Sequence, residues 1–145
     1  MARSHAFYVW LAIFAIIAPK IIKGYSMIDI KCGDMITGKI NRYETKNYTF
    51  TITKKEFAGI FSTCLNITSF DTYLKIYDDS DTLVQYCDDC GDCQHSTHAI
   101  LKYNLNKYAH NNMDKPVIFK LVVSGYNSAS GNFGVERICT IDSDY

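Results

Sequence analysis

Polar and apolar residues alternate along most of the chain from Asp34 onward, and no sustained helical period interrupts them. In residues 48–53, Tyr, Phe and Ile alternate with three threonines. A period of two places successive side chains on opposite faces of a strand, so each such run predicts a β-strand with one buried face. Eight runs show the pattern, at 35–40, 48–53, 59–63, 72–78, 82–87, 97–105, 116–126 and 133–140.

Seven or eight short strands, joined by turn-rich connectors with no helix between them, predict an all-β fold: an antiparallel β-sandwich of the jelly-roll kind. No internal repeat or low-complexity linker divides residues 25–145, so we expect one domain there. The core is expected at the inward positions, namely Phe50, Ile52, Phe61, Leu74, Ile76, Leu83, Leu101, Leu105, Phe119, Leu121, Val123, Phe133 and Val135.

The apolar run at residues 7–18 predicts a signal peptide over residues 1–24. The run is long enough for the hydrophobic region of such a peptide and shorter than the ~20 residues of a membrane span. Pro19 disfavours cleavage directly after residue 18, so we expect the cut between 18 and 26, near Gly24. The alternative is an uncleaved signal anchor, because Lys20 and Lys23 flank the run. Cleavage would give a secreted, extracellular protein without a stable membrane span.

The charge balance of the mature chain argues against a nucleic-acid partner. Removing residues 1–24 takes away Arg3, Lys20 and Lys23 and no acidic residue, which leaves 12 basic and 15 acidic side chains. A negatively charged domain does not attract the phosphate backbone.

All six cysteines lie beyond the apolar run, at positions 32, 64, 87, 90, 93 and 139. An even number of cysteines in a secreted chain predicts disulfide bonds. Cys32 precedes the first strand and Cys139 lies in the last, and these strands often lie side by side in a sandwich, so we expect this pair to be bonded. The other four cysteines allow three pairings.

Two acceptor sequons predict N-glycosylation in the same compartment. Asn47-Tyr-Thr precedes a predicted strand, and Asn66-Ile-Thr lies in the connector after Cys64. Both asparagines can therefore reach solvent.

Five short motifs resemble those of the pre-peptidase C-terminal (PPC) domain family. They are Ser-Thr-Cys at 62–64, FDTYLKIYD at 70–78, Asp-Asp-Cys-Gly at 88–91, Val-Ser-Gly-Tyr at 123–126 and Ser-Gly-Asn-Phe at 130–133, in the family's order. The resemblance implies a β-sandwich that accompanies secreted enzymes or surface proteins and contributes adhesion, substrate targeting or chaperoning without catalysis. It also implies a bond between Cys64 and Cys90, which leaves Cys87 to pair with Cys93.

The weaker alternative is the CUB domain, another disulfide-bonded extracellular sandwich. The chain departs from that family where Thr72 interrupts an Asp-Tyr pair and Asp79 stands at a glycine position. Ser124-Gly125 also replaces an expected Ser-Asp calcium site.

The segment CDDCGDC at 87–93, followed by His95, allows three chemistries: a zinc site, a redox dithiol or a disulfide staple. Zinc ligands usually come as pairs from different parts of a fold, whereas the four candidates here, the three cysteines and His95, lie within nine residues. A redox CxxC begins a helix, and no helical pattern follows Cys90. We therefore expect a stapled hairpin tip.

No motif organises a catalytic site. The histidines beyond the signal segment, His95, His98 and His110, are expected in exposed loops or at a strand edge. Neither a nucleophile elbow nor an HExxH pattern is present in the sequence. The chain is therefore expected not to be an enzyme.

Aspartates crowd into two connectors, and calcium prefers carboxylate oxygens. The candidate calcium ligands are Asp78, Asp79, Asp81, Asp88 and Asp89, with Asp92 nearby. The alternative is a solvated acidic rim whose carboxylates cap turns. Asp71 is expected to hold a turn ahead of its strand. No other cofactor is expected.

Tyr73, Lys75 and Tyr77 alternate with Leu74 and Ile76, so we expect the first three to face outward. Outward tyrosines suit contact with sugars or proteins. The sequence therefore predicts a secreted, non-enzymatic binding or adhesion module that recognises an extracellular glycan or protein at the cell surface or in the matrix. A structural subunit of an extracellular coat or filament is the alternative.

Overall fold

The computed structural model describes residues 27–91, 93, 97–111 and 115–140. The predicted signal segment, Asp92 and His95 lie outside this part of the chain. The eight strands are β1 (Met35–Ile40), β2 (Thr45–Ile52), β3 (Ala58–Ser62), β4 (Thr72–Tyr77), β5 (Leu83–Cys87), β6 (Ile100–Asn104), β7 (Val117–Gly125) and β8 (Gly131–Thr140). Each predicted run corresponds to one of them.

The strands form two antiparallel four-stranded sheets, ordered β1-β8-β3-β6 and β2-β7-β4-β5. The first strand thus lies in one sheet with the last, the second with the seventh, the third with the sixth and the fourth with the fifth. This pattern results when one long hairpin is rolled into two layers, which is a jelly roll. The predicted disulfide-bonded all-β sandwich is confirmed. The described part of the chain contains no helix with the length and apolar character of a membrane span.

The core lies between the sheets and follows the predicted alternation with one exception. Phe50 is its aromatic centre, with ring centroids 4.8 Å from Phe61 and 5.6 Å from Phe119. Burying each such ring contributes on the order of 1.5–3 kcal/mol. Leu83 was predicted to be buried but is 46% exposed. A register shift between Ile76 and Tyr77 interrupts the pairing of β5 with β4 at this point, so the alternation does not carry over.

A short helix, α1 (Asn106–Asn111), follows β6, and a 3₁₀ turn (Tyr126–Ser128) follows β7, so the prediction of no helix between strands is wrong. The N-terminal N–H of α1, that of Asn106, donates to the side-chain oxygen of Asn104 at 3.1 Å. Leu105 and Ala109, four residues apart, are both buried. That spacing places both side chains on one side of a helical turn.

Arg137 is the largest fully buried side chain among the described residues, and only 2% of it is exposed. Its Nε donates to the hydroxyl of Tyr103 at 3.0 Å, and its two terminal nitrogens donate to the carbonyls of Ile30 (2.8 Å) and Thr51 (2.9 Å). The guanidinium also lies 5.0 Å from the ring centroid of Phe50. A buried charge is tolerated because it is hydrogen-bonded on several sides.

Cys32 and Cys139 form a disulfide with a Cα–Cα distance of 5.5 Å, the pairing predicted from the sequence. The structure places them together because the N–H of Gly33 donates to the carbonyl of Arg137 at 2.8 Å, alongside the last strand.

The other pairs are Cys64–Cys93 and Cys87–Cys90, each with a Cα–Cα distance of 5.7 Å. The pairing expected from the family resemblance, Cys64 with Cys90 and Cys87 with Cys93, is therefore corrected. Cys87 ends β5, and the chain turns at once, which keeps Cys90 beside it.

Cys93 reaches Cys64 because the start of β6 packs against the end of β3. The N–H of Thr63 donates to the carbonyl of Ala99 at 3.0 Å, and the N–H of Ile100 donates to the carbonyl of Cys90 at 2.8 Å. The stapled hairpin tip thus contains one local disulfide and one that joins it to the β3–β4 connector.

Candidate functional site

The outward side of β4 carries the tyrosines that the alternation predicts there. Leu74 and Ile76 are fully buried, whereas Tyr73, Lys75 and Tyr77 are half-buried on the opposite side. The Nζ of Lys75 lies 4.7 Å from the ring centroid of Tyr73, a distance that allows a cation–π contact. These three side chains form a mixed aromatic and cationic column along the strand.

Strand pairing extends this column into a regular surface, because residues paired across neighbouring strands share a face. Tyr73, Lys75 and Tyr77 of β4 pair with Ser124, Val122 and Lys120 of β7. The same three β7 residues pair with Thr45, Asn47 and Thr49 of β2. We call these nine residues the tyrosine face; Val122 is at its centre.

Two more tyrosines join Tyr73 at one end of the face. Tyr86 of β5 lies 6.0 Å from it between ring centroids, and Tyr126, in the turn after β7, lies 6.5 Å from it, both edge to face. Tyr86 is 59% exposed and Tyr126 is 43% exposed. Sequence reasoning missed both residues, although the position of Tyr86 follows once its pairing with Lys75 is known.

Burial raises the pKa of Tyr73 above its ordinary value, and the neighbouring Tyr86 and Asp88 act in the same direction. Because the phenol stays neutral at physiological pH, it remains able to donate a hydrogen bond. An aromatic group with a hydroxyl donor is well suited to sugars and to polar protein surfaces.

Three carboxylates gather beside this tyrosine cluster. One oxygen from each of Asp71, Asp88 and Asp89 lies within 4.8 Å of the others. Asp71 precedes β4, and the other two follow β5. Since β4 and β5 are antiparallel neighbours, the start of one meets the end of the other. The N–H of Tyr126 donates to the carbonyl of Asp71 at 3.0 Å, which ties the cluster to the tyrosines.

The carboxylate cluster is electrostatically costly in its ionised form. Burial raises the pKa of Asp71, and the charges of Asp89 and Asp88 raise it further. Burial and then the charge of Asp89 likewise raise the pKa of Asp88. The Oδ1 atoms of Asp71 and Asp88 are buried without a hydrogen-bond partner. Three converging carboxylates are chemically suited to a hard cation such as Ca²⁺.

Asp71 thus lies in the carboxylate cluster as well as ahead of β4, whereas the other predicted calcium ligands fall into two separate groups. Asp78, Asp79 and Asp81 lie in the turn at the far end of the β4–β5 hairpin. Six residues of β4 separate the two ends, about 20 Å at the usual rise of a strand. The two groups cannot share an ion.

The aspartates of the turn are largely engaged by the protein itself. The Oδ1 of Asp78 accepts hydrogen bonds from the N–H groups of Ser80 (3.0 Å) and Thr82 (2.9 Å). Asp81 forms an ion pair with Lys120 of the tyrosine face, and Asp79 is exposed. Asp78 therefore caps this turn, which is the alternative to calcium binding that the sequence left open.

The structure contradicts one histidine prediction and places every cysteine in a disulfide. His98 is 4% exposed, so its expected place in an exposed loop is wrong. His95 and the side chain of His110 lie outside the described residues. All six cysteines are in disulfides, so in this structure none offers a thiolate to a metal.

The two sequon asparagines lie on opposite faces of the sandwich. Asn47 is exposed and lies within β2, rather than before the strand as expected. Asn66 is exposed in the connector between β3 and β4, as expected. Two residues later, Thr68 is buried and accepts a hydrogen bond from the N–H of Gly134 at 3.2 Å, on the other sheet.

No protein-family model and no curated protein matches the chain. Among solved structures, the fold is similar to the crystal structure of the pre-peptidase C-terminal domain of collagenase from Bacillus anthracis. The two share 18% sequence identity and a TM-score of 0.53, over 77% of this chain and 93% of that chain. The fold is therefore PPC-like, as the sequence motifs predicted. At this identity the likeness is one of fold.

Proposed function

We propose that the chain is a secreted, non-enzymatic binding module that recognises a carbohydrate or protein ligand at the cell surface or in the extracellular matrix. The observation that carries the proposal is the cluster of Tyr73, Tyr86 and Tyr126 beside the carboxylates of Asp71, Asp88 and Asp89. Exposed aromatic side chains grouped on a rigid sheet and its adjoining turn offer contact area at a low cost in conformational entropy.

The contacts within the cluster support recognition of a polar ligand with an apolar side. Tyr73 is held between Tyr86 and Tyr126, so its ring is already oriented before binding. Lys75 adds a donor beside that ring, and Tyr77 with its neighbour Lys120 repeats the combination along β4, with Nζ 4.9 Å from the ring centroid. Preorganised side chains lower the entropy that binding costs.

Calcium is the proposed ion of this surface, held by Asp71, Asp88 and Asp89. A divalent cation would relieve the repulsion that raises the pKa values of Asp71 and Asp88, and it would give their buried oxygens a partner. It would also fix the Cys87–Cys90 loop against the start of β4, next to Tyr73. Ligand binding is therefore expected to weaken when calcium is removed.

Catalysis is not part of the proposal, because the side chains of this surface do not form a nucleophile–base pair among the described residues. The hydroxyl of Ser124, which belongs to the tyrosine face, donates to the backbone carbonyl of Tyr73 at 3.3 Å rather than to a base. Secretion agrees with the three disulfides, which persist in oxidising compartments.

The test is binding of the mature oxidised protein to a glycan array and to cell surfaces, with calcium or with a chelator. The double variant Tyr86→Ser/Tyr126→Ser should lose binding while its unfolding temperature stays nearly unchanged, because both rings are substantially exposed. Ile138→Ser is the matched control, since Ile138 is 49% exposed on β8 of the other sheet. Normal binding by the folded double variant would place the recognition surface elsewhere.

Light scattering on the same samples distinguishes the structural alternative. Concentration-dependent self-assembly of the mature protein, with no saturable ligand, would favour a coat or filament subunit over a binding module.

A further inference from the structure

Asn47 occupies a position on the tyrosine face that its place in the sequence does not reveal. It pairs with Val122 of β7, Val122 pairs with Lys75 of β4, and Lys75 pairs with Tyr86 of β5. One row of side chains therefore crosses the whole sheet from the sequon to the tyrosines. Neighbouring strands are about 4.8 Å apart, so the backbone of Asn47 is about 5 Å from that of Val122 and about 10 Å from that of Lys75.

The centre of this row is apolar and bordered by aromatic rings. Val122 lies on the outer side of the sheet, outside the core cluster, and 9% of it is exposed. Tyr73 and Tyr77 flank Lys75 along β4, one strand away from Val122. An apolar floor with aromatic and cationic walls fits an N-acetylated sugar, whose faces are apolar and whose edges accept and donate hydrogen bonds.

We propose that an N-linked glycan on Asn47 lies across the tyrosine face and packs over Val122 against Tyr73 and Tyr77. The first sugars attached to Asn47 then cover the β2–β7–β4 part of the face, so Lys75, Tyr77 and Lys120 contact this glycan, and an external ligand approaches the tyrosine cluster from the side of Tyr86 and Tyr126. This inference rests on the secretion that the proposed function includes. It holds whether or not an external ligand is found.

The backbone around the sequon determines when the glycan is added. Thr49, the third residue of the sequon, has a neighbouring backbone segment on each side of its strand. It pairs with Lys120 of β7 on one side. On the other, its N–H donates to the carbonyl of Ile28 (3.0 Å) and its carbonyl accepts from Ile30 (2.8 Å). A transferase that must grip this segment can do so only before β2 enters the sheet, so modification precedes folding.

The experiment uses the protein secreted from a glycosylating eukaryotic cell and needs no ligand. Peptide mass mapping first measures occupancy of Asn47. Tyrosine nitration of the folded protein is then measured at each tyrosine before and after enzymatic removal of the glycans, and in the variants Asn47→Gln and Asn66→Gln. Asn66→Gln is the matched control because it removes the glycan from the β3–β4 connector, which lies away from the tyrosine face.

Loss of the Asn47 glycan, by enzyme or by substitution, should raise nitration of Tyr73 and Tyr77 severalfold. The increase at Tyr86, one strand further away, should be smaller, and Asn66→Gln should leave all three unchanged. An unoccupied Asn47 in the secreted protein would overturn the proposal, and so would equal nitration with and without the glycan.

Discussion

Replacing Asp71 with asparagine separates the two roles that this residue could have. Asparagine keeps the size of the side chain and can still hold a turn, but it removes one of three clustered negative charges. If Asp71 only holds the turn ahead of β4, the variant should be close to the wild type. If it repels Asp88 and Asp89, the variant should be more stable than the wild type without calcium.

The expected size follows from the distance between the carboxylates. Two unit charges 4.8 Å apart repel by about 1 kcal/mol at the dielectric constant of water and by about 3.5 kcal/mol at an effective value of about 20. Asp71→Asn should therefore raise the free energy of unfolding by about 1–3 kcal/mol at neutral pH in a chelator. For a domain of this size, this corresponds to an increase in the unfolding temperature of about 3–6 °C per kcal/mol.

The pH dependence has a definite sign. The folded protein raises the pKa of Asp71, so the folded state binds this proton more tightly than the unfolded chain does. Its contribution to stability is therefore most favourable below the ordinary aspartate pKa of about 3.9 and is lost as the pH rises through the raised value. The advantage of Asp71→Asn should accordingly vanish near pH 4 and grow toward neutrality.

The assay is thermal unfolding of both proteins in chelator and in calcium, across this pH range. Calcium should stabilise the wild type more than the variant, which lacks one ligand. Asp79→Asn is the matched control, because Asp79 is exposed at the opposite end of the hairpin. If Asp71→Asn is no more stable than the wild type at neutral pH in the chelator, the repulsion is refuted and Asp71 only holds the turn.

Three further variants test the framework. Replacing Cys32 and Cys139 with serine removes a disulfide between residues 107 apart, and the chain-entropy model predicts a loss of about 5 kcal/mol in the free energy of unfolding. Replacing Cys87 and Cys90, which are three residues apart, should lower it by about 2 kcal/mol. Denaturation in urea that found equal losses would contradict this ordering. Arg137→Met should lower the free energy of unfolding by about 3–5 kcal/mol in the same assay, because it leaves two buried carbonyls and a phenol without their hydrogen-bond donor. A loss below about 1 kcal/mol would show that these groups find other partners.

The strands of this fold could be predicted from the sequence because a strand that buries one face alternates apolar and polar residues. Leu83 was misplaced because the pairing of β5 with β4 shifts its register beside it, and such a shift leaves no mark on the apolar pattern. The buried Arg137 was missed for a different reason. An arginine inside a strand predicts an outward side chain unless the carbonyls and phenol that satisfy it are known, and these come from three distant segments.

Functional proximity was harder to predict, because a rolled hairpin brings together residues that are distant in sequence and separates some that are near. Asp78 lies 10 residues from Asp88 and at the other end of β4, whereas Asp71 lies 17 residues from Asp88 and beside it. The residue that is more distant from Asp88 in sequence is therefore the nearer one in space, because antiparallel pairing brings the start of one strand beside the end of the next. The same rule places Tyr126 against Tyr73 and Asn47 in the row of Lys75. In such a fold, a candidate site is best sought among the residues of one cross-strand row, and a motif of neighbouring residues is a poor guide to it.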